Sequence, residues 1–369
     1  MKTEVSSMEL KHLVTELRSL LVGGRIEKIY QPAPATFLFA IRKVGENKRL
    51  LRIELPKYFY ITSQKEEMPE KLSGFCGYLR KYIEGTRIVA LEQPMLERAI
   101  RMHVETSESV FVLCLELFGK GNLVVCEPDG TIVQCLEQVV FKDRVVKPGA
   151  MYSLPPRQYV LDAPLKERFA ELLTASVHAN IAVTLAVDIG LGGLFAKELC
   201  ARAGISVGKK QSTPDEIDKL FAALQNIMNQ KTQPLLVLKN DLPEEVLAFP
   251  MKTFENAITQ PLKSLSEGLD KLFLATQERA PVKEDVRLRK LNAIIMLQEQ
   301  NAILLKQKAA EEQKKGEFMY EHYQEVKAVL DEIQIEMKHH SLQELQQKYK
   351  EHKHIKEIAP AKGMVVVEV

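Results

Sequence analysis

Several patterns that would announce a catalyst or a secreted domain are missing from this 369-residue sequence. The five cysteines, Cys76, Cys114, Cys126, Cys135 and Cys200, are odd in number and widely spaced, with no C-x-x-C pair. That spacing argues against a disulfide framework and gives no zinc or thiol-redox motif, so buried free thiols are expected. No G-x-x-x-x-G-K-[ST] loop is present for nucleotide hydrolysis. The eight histidines show no H-x-x-x-H spacing with supporting carboxylates, and His339, His340, His352 and His354 read as solvated residues. No metal and no cofactor are therefore expected. No stretch approaches the roughly 18 to 20 continuous apolar residues that span a bilayer. The first 21 residues are interrupted by Glu4, Glu9, Lys11, His12, Glu16 and Arg18, which leaves no apolar core for a signal peptide. A cytoplasmic protein without a membrane partner is the expectation. Net charge is only +2, so any nucleic-acid surface has to be a local patch.

What is present is ordinary for folded protein: 46% apolar and 27% charged residues, which argues against wholesale disorder. The length exceeds what one hydrophobic core usually supports, so two or three domains are expected. The first helix is well marked. Ser6 can cap it with Glu9 three residues on, Leu10, Leu13, Val14, Leu17 and Leu21 share one face, and Gly23-Gly24 ends it. From Phe37 to Phe141 the period changes to two, most cleanly where Ile100, Met102 and Val104 alternate with Arg101, His103 and Glu105. Sequential antiparallel strands follow, and a β-sandwich is expected. One helix interrupts them, from near Pro69 to Gly85, with Leu72, Phe75, Cys76, Leu79 and Ile83 buried and Arg80 and Lys81 outside that stripe.

Past Pro155-Pro156 the pattern turns helical. The turn Ile189-Gly190-Leu191-Gly192-Gly193 separates two apolar helical runs, as in a helix-hairpin-helix, where glycines let backbone approach a phosphate and the next helix offers unpaired N–H groups. Thr213-Pro214-Asp215-Glu216 starts a further helix. A connection over 233–262 contains a hairpin around Lys239-Asn240-Asp241. From Val282 to about Gln313 there is no proline or glycine, and Leu288, Leu291, Ile295, Ala302, Leu305 and Ala309 recur at three- and four-residue steps, with Gln298 as the polar exception. A coiled-coil arm is expected there. Beyond Gly316 come a second helix over 317–338, a short third one over 342–350, and a strand from Met364. The expected division is 1–175, 176–232, 233–262, 263–314 and 315–369. The arm has no antiparallel return segment, so a longer natural protein, or self-association through the arm, is expected.

Six segments resemble the NFACT family: 22–32 (VGGRIEKIYQP), 75–85 (FCGYLRKYIEG), 96–98 (LER), 118–123 (FGKGNL), 142–156 (KDRVVKPGAMYSLPP) and 315–323 (KGEFMYEHY). They occur in order from one end to the other. The resemblance implies an α+β fold: an N-terminal β-sandwich domain like the MutM/Fpg glycosylases, a helix-hairpin-helix module, and a long coiled-coil helix with a small helical tip. The return arm and a C-terminal RNA-binding domain would be missing. It further implies a ribosome-associated quality control factor, not an enzyme, that binds the large ribosomal subunit carrying a stalled nascent chain as peptidyl-tRNA. Such a factor recruits tRNA for untemplated C-terminal tailing. Glycosylase chemistry is not implied, because its N-terminal amine is usually on a proline and this chain starts Met1-Lys2-Thr3-Glu4. The alternative is a fibronectin-binding surface adhesin, against which the missing secretion signal weighs.

Family members that recruit tRNA carry an aspartate in the first helix and an Asp-Arg pair in the N-terminal domain. The matching residues are Glu9, Glu97 and Arg98, each carboxylate one methylene longer. Glu9 has two readings, a capping-box glutamate or a tRNA contact. Glu9→Gln, which a capping box accepts, is expected to leave stability unchanged. Glu97 and Arg98 are an exposed ion pair or a tRNA-contacting arginine with its orienting acid. Arg80 and Lys81, and the Gly190 and Gly192 turn, are candidate phosphate contacts.

Overall fold

The computed structural model describes the chain apart from residues 1, 67, 70–72, 108, 157–158, 160, 162–163, 280–285, 340–343, 346–347, 350–354, 360–363 and 368–369. Side chains are also outside the description at 278–279, 286–290, 292–293, 355–359, 364–365 and 367. The chain divides into two compact units, Met1–Ala280 and Pro281–Val369.

The first unit is mixed α and β. Helix α1 (Ser7–Leu21) starts on Ser6, whose hydroxyl accepts the Glu9 N–H while the Glu9 carboxylate returns to the Ser6 N–H, so both halves of the capping box are made. Its apolar stripe, Leu10, Leu13, Val14, Leu17 and Leu21, is wholly buried. Each such leucine contributes on the order of 2 kcal/mol by leaving water. Four strands follow, β1 (Arg25–Ala33), β2 (Thr36–Arg42), β3 (Arg49–Glu54) and β4 (Tyr58–Thr62), then α2 (Gly74–Tyr82). Five more strands complete the sheet: β5 (Arg87–Glu92), β6 (Ala99–Glu105), β7 (Val110–Glu116), β8 (Asn122–Cys126) and β9 (Ile132–Cys135).

The strand order is β4-β3-β2-β1-β5-β6-β7-β8-β9, antiparallel at every step. β1 and β5 meet at one register pair, Arg25 opposite Arg87, so two meanders are hinged into a single nine-stranded sheet. Hydrogen bonding runs continuously from one meander to the other through that one junction. β6 keeps the alternation legible in sequence: Ile100, Met102 and Val104 are buried, while Arg101 and His103 are only half-buried. One core contains the α1 stripe together with Phe37, Phe39, Ile53, Ile100 and Met102.

A short hairpin, β10 (Val139–Val140) with β11 (Val145–Val146), precedes the helices α3 (Lys166–Ala175), α4 (Ile181–Val187), α5 (Gly192–Ala203) and α6 (Pro214–Met228). A three-stranded sheet of order β13-β12-β14 comes next, from β12 (Leu235–Lys239), β13 (Leu242–Leu247) and β14 (Ile258–Pro261). The turn between the first two uses Asn240 and Asp241 at positive φ, residue types that tolerate this conformation. Helix α7 (Leu265–Arg279) closes the unit. All five cysteines are buried and free.

α2 starts later than the sequence suggests, at Gly74 with Ser73 as its cap; Leu72, expected in its buried stripe, lies outside the described residues. In the second unit α8 (Val286–Glu321) runs straight through Gly316, expected from sequence to be a break. One glycine costs a helix only about 1 kcal/mol, and Lys314, Lys315 and Glu317 around it are good helix formers. The interruption comes at His322, before α9 (Tyr323–Glu336). The third helix expected over 342–350 falls mostly outside the described residues. The chain then forms a hairpin, β15 (Ile355–Ala359) with β16 (Met364–Val367). Among the described residues no helix is long and apolar enough to cross a membrane.

Candidate functional site

A cleft of about 480 Å³ opens in the first unit where the N-terminus of α1, the α4–α5 turn, Arg98 and β13 come together. Its walls include Glu9, Arg98, Gly190 and Gly192, drawn from three separate stretches of sequence. Glu97 stands beside it, buried, at the end of a tight turn. That turn is unusual: Met95 and Leu96 both have positive φ, a conformation that costs non-glycine residues energy and concentrates at functional sites. It delivers Glu97 and Arg98 to the start of β6. Gln93 braces the turn, its amide donating 2.8 Å bonds to the carbonyls of Ser7 and Glu97.

Glu9 is doubly occupied. Oε2 accepts from the Ser6 N–H at 2.9 Å and the Ser6 hydroxyl at 2.8 Å, while Oε1 takes the Lys2 ammonium at 2.6 Å. Lys2 also donates to Glu245 of β13 and, at 3.3 Å, to the Val246 carbonyl. Burial works to lower the Lys2 pKa, but Glu9 and Glu245 outweigh it and hold the ammonium above the usual lysine range. Burial pushes the Glu245 carboxyl up, against the pull of Lys2. Arg98 donates to Glu4 at 2.7 Å and to the Pro56 carbonyl at 3.2 Å, and its Nε is buried without a partner.

The glycine turn faces the same space. Gly190 and Gly192 have φ of 83° and 75°, which glycine alone adopts without strain, and the Ser7 hydroxyl donates to the Gly190 carbonyl at 3.3 Å. Helix α5 begins there on Leu191 with no side-chain cap, so its first N–H groups lack intrahelical partners at the positive end of the helix dipole. Arg80 and Lys81 do not line this cleft. Arg80 donates to the Ile29 carbonyl at 2.9 Å, and the Lys81 ammonium lies 4.9 Å from the Tyr82 ring centre.

Lys2, Glu4 and Glu245 are not candidates that the sequence singles out. No short-range pattern marks them, because Glu245 reaches Glu9 only through tertiary folding. Among the described residues no group of three or more His, Cys, Asp or Glu side chains is placed to hold a metal ion.

The family model described as NFACT N-terminal and middle domains matches residues 6–365. The chain belongs to the NFACT family. Among its relatives is the archaeal Rqc2 homolog aRqcH of Methanocaldococcus jannaschii, 26% identical over 351 residues, covering 90% of this chain and 52% of the relative. The Rqc2 homolog RqcH of Bacillus subtilis is 31% identical over 287 residues, covering 74% of this chain and 49% of the relative. The chain thus spans about half the length of these curated NFACT relatives. A solved structure described as the N-terminal of the fibronectin/fibrinogen-binding protein from Streptococcus suis shares the fold. It has a TM-score of 0.58 and 24% identity, and covers 75% of this chain and all of that one.

Proposed function

We propose that this chain is the tRNA-holding part of a ribosome-associated quality control factor. It would bind the large ribosomal subunit bearing a stalled nascent chain and recruit tRNA for untemplated C-terminal tailing. Relatives described as ribosome quality control complex subunits, from Saccharomyces cerevisiae and Homo sapiens, support ribosome quality control as the process. The observation that carries the tRNA part is the meeting of Glu9, Arg98 and the Gly190–Gly192 turn on one cleft.

The chemistry suits RNA better than a generic polyanion. Arg98 and the uncapped start of α5 favour a phosphate. Lys2 and Arg98, however, face Glu4, Glu9 and Glu245, so the cleft carries more negative than positive side chains. Carboxylates accept hydrogen bonds from ribose hydroxyls and base amino groups, and the 2′-hydroxyl is the group that distinguishes RNA. In this reading Arg98 contacts tRNA, Glu97 and Glu9 set the geometry, and the α4–α5 hairpin acts as a helix-hairpin-helix. Arg80, already bonded to backbone, and Lys81 would be secondary phosphate contacts.

The test is recovery of tRNA with the chain on large subunits. Arg98→Ala should lower tRNA recovery while costing under about 1 kcal/mol of stability, since its bond to Glu4 is partly exposed. Absence of tRNA from the parent protein would overturn the reading. Protease-accessible display at the cell surface would favour a fibronectin-binding adhesin instead.

A further inference from the structure

Where the two meanders join, strand register sets three arginines side by side. Arg42 of β2 lies opposite Arg25 of β1, and Arg25 lies opposite Arg87 of β5. Like charges directly opposite one another on adjacent strands destabilise a sheet. This row crosses the joint that β1 and β5 hold by a single register pair. All three arginines are exposed, whereas their chain neighbours Ile26, Ile41 and Ile88 are buried in the core that contains the α1 stripe. Side chains alternate between the two faces of a sheet, so the row stands on the face turned away from that core.

The fold neutralises little of this charge. Glu27 is shared, one oxygen taking Arg42 at 2.6 Å and the other Lys48 at 3.2 Å, so that group keeps a positive balance. Arg25 donates through Nε to the Gly85 carbonyl at 2.8 Å, which fixes the base of its guanidinium. Its terminal nitrogens have no acid partner among the described residues. Arg87 faces Glu105 of β6 in register, yet among the described residues it forms neither an ion pair nor a hydrogen bond. The whole chain carries a net charge of only +2, so the row is a local concentration and not part of a general excess.

From this row, and resting on the large-subunit reading above, we infer that the outer face at the β1–β5 joint grips the phosphate backbone of ribosomal RNA. Guanidinium forks match phosphate oxygens, and an exposed arginine without a carboxylate has its donors free for them. Neighbouring strands lie about 4.8 Å apart, so the three arginines form a line roughly 10 Å long, suited to a chain of phosphates more than to one small anion. Such contacts position an RNA without reading its sequence. The row is also separate from the cleft of Glu9 and Arg98. That cleft lies at the N-terminus of α1, whose 15 residues span about 22 Å. The row follows its other end, where the Gly24 N–H donates to the Leu21 carbonyl just before Arg25. A tRNA seated in the cleft therefore leaves the row open to a second RNA body, the subunit itself.

The experiment measures affinity for isolated large subunits stripped of tRNA, over a series of salt concentrations, and affinity for free tRNA beside it. The parent is compared with a double variant, Arg25→Gln with Arg87→Gln. Subunit binding should weaken by roughly tenfold at low salt, and the slope of log affinity against log salt should become shallower by about 1.5, since each phosphate contact contributes roughly 0.7 to 0.9. Free tRNA should bind the double variant and the parent alike, while Arg98→Ala should weaken tRNA and leave subunit affinity unchanged. Arg25→Lys with Arg87→Lys keeps both charges and should retain most of the slope. Should the glutamine pair fail to fold, Arg87→Gln alone, which breaks no bond to a described residue, should give half the change in slope. A photoreactive residue at 87 should capture ribosomal RNA. Equal subunit affinity and slope in the glutamine pair and the parent overturn the inference and leave the large-subunit reading standing. A loss that falls equally on free tRNA gives the row to tRNA and overturns the inference, as does capture of a ribosomal protein at 87. A parent that binds tRNA but no large subunit overturns the large-subunit reading and the inference with it.

Discussion

The ammonium of Lys2 stands 2.6 Å from the Glu9 carboxylate, with both side chains only 5% exposed. This pairing changes the meaning of Glu9. In the sequence Glu9 reads as a helix cap or a tRNA contact, and glutamine is expected to be thermally neutral. In the fold the cap and a buried ion pair use opposite oxygens of one carboxylate.

Glu9→Gln should therefore destabilise the protein by about 1 to 3 kcal/mol, since it removes one of two anions facing a buried cation while Glu245 remains. The pH dependence follows from Lys2. Its pKa is raised on folding, so the stabilisation is fully present below the ordinary lysine value and is lost as pH rises through the folded value. Chemical denaturation should show the full difference between parent and variant at pH 7 and a smaller one above about pH 11. A neutral Glu9→Gln at pH 7 would mean that Lys2 contributes nothing through Glu9.

His12 supplies the opposite sign. Burial, aided by Lys11 and opposed by Glu9, lowers its pKa to about 4, and its Nδ1 lies 2.8 Å from the Thr232 hydroxyl. In the unfolded chain it takes a proton near the ordinary histidine value. Stability should thus fall as pH drops from about 6.5 to 4, by up to roughly 3 kcal/mol. His12→Gln should flatten that part of the pH profile, measured by melting between pH 4 and 7. A His12 resonance titrating near its ordinary value would refute this.

These two residues mark how far the sequence can be read. The α1 cap and stripe depend on neighbours three and four residues apart, and the β6 alternation on neighbours two apart; both are legible. Helix α7 lies within the segment 263–314 expected as the coiled-coil arm, and its place as a separate helix of the first unit is not legible, because Gly268 interrupts its pattern. A Cβ there would lie within 3 Å of Leu262 and Val246, so the glycine that hides the helix is what lets it pack. β14 has a burial pattern without alternation, exposed at all four positions, and leaves no period to detect. For the cleft, Glu9, Arg98 and the glycine turn are each visible through local motifs. That they share one space, with Lys2 and Glu245 between them, is a consequence of tertiary contacts between segments far apart in the chain.

Glu198 of α5 offers a stability test at a residue that does not line the cleft of Glu9 and Arg98. It is fully buried and accepts from the Lys252 N–H at 2.9 Å, the Thr253 N–H at 2.9 Å, the Thr253 hydroxyl at 3.0 Å and Arg202 at 2.6 Å. Glutamine would turn a donor group toward other donors and strip Arg202 of its charge partner. Glu198→Gln should lower the denaturation midpoint by the equivalent of about 2 to 4 kcal/mol. An unchanged midpoint would show that water replaces these bonds without penalty.

Helix α8 carries the heptad-like seam that the sequence marks as a coiled-coil arm. Leu288 lies among the residues whose side chains are outside the description. Leu291, Ile295 and Leu305 are 49%, 50% and 67% exposed, and Ala302 and Ala309 are exposed with them. Ile294, Leu297 and Leu304 widen the apolar surface on the same helix. Burial of such surface is worth roughly 25 cal/mol per Å², so a stripe several turns long favours association with a second helix. In a preparation of this chain alone, the second helix available is that of another copy. Sedimentation velocity should show self-association that rises with concentration, and Ile295→Glu with Leu305→Glu should abolish it, because charges on the seam would have to be buried. The melting of the first unit should not change in that double variant, since its core contains none of these residues. A chain that stays monomeric at all concentrations, with α8 fully protected from hydrogen exchange, would show that the seam is covered in some other way.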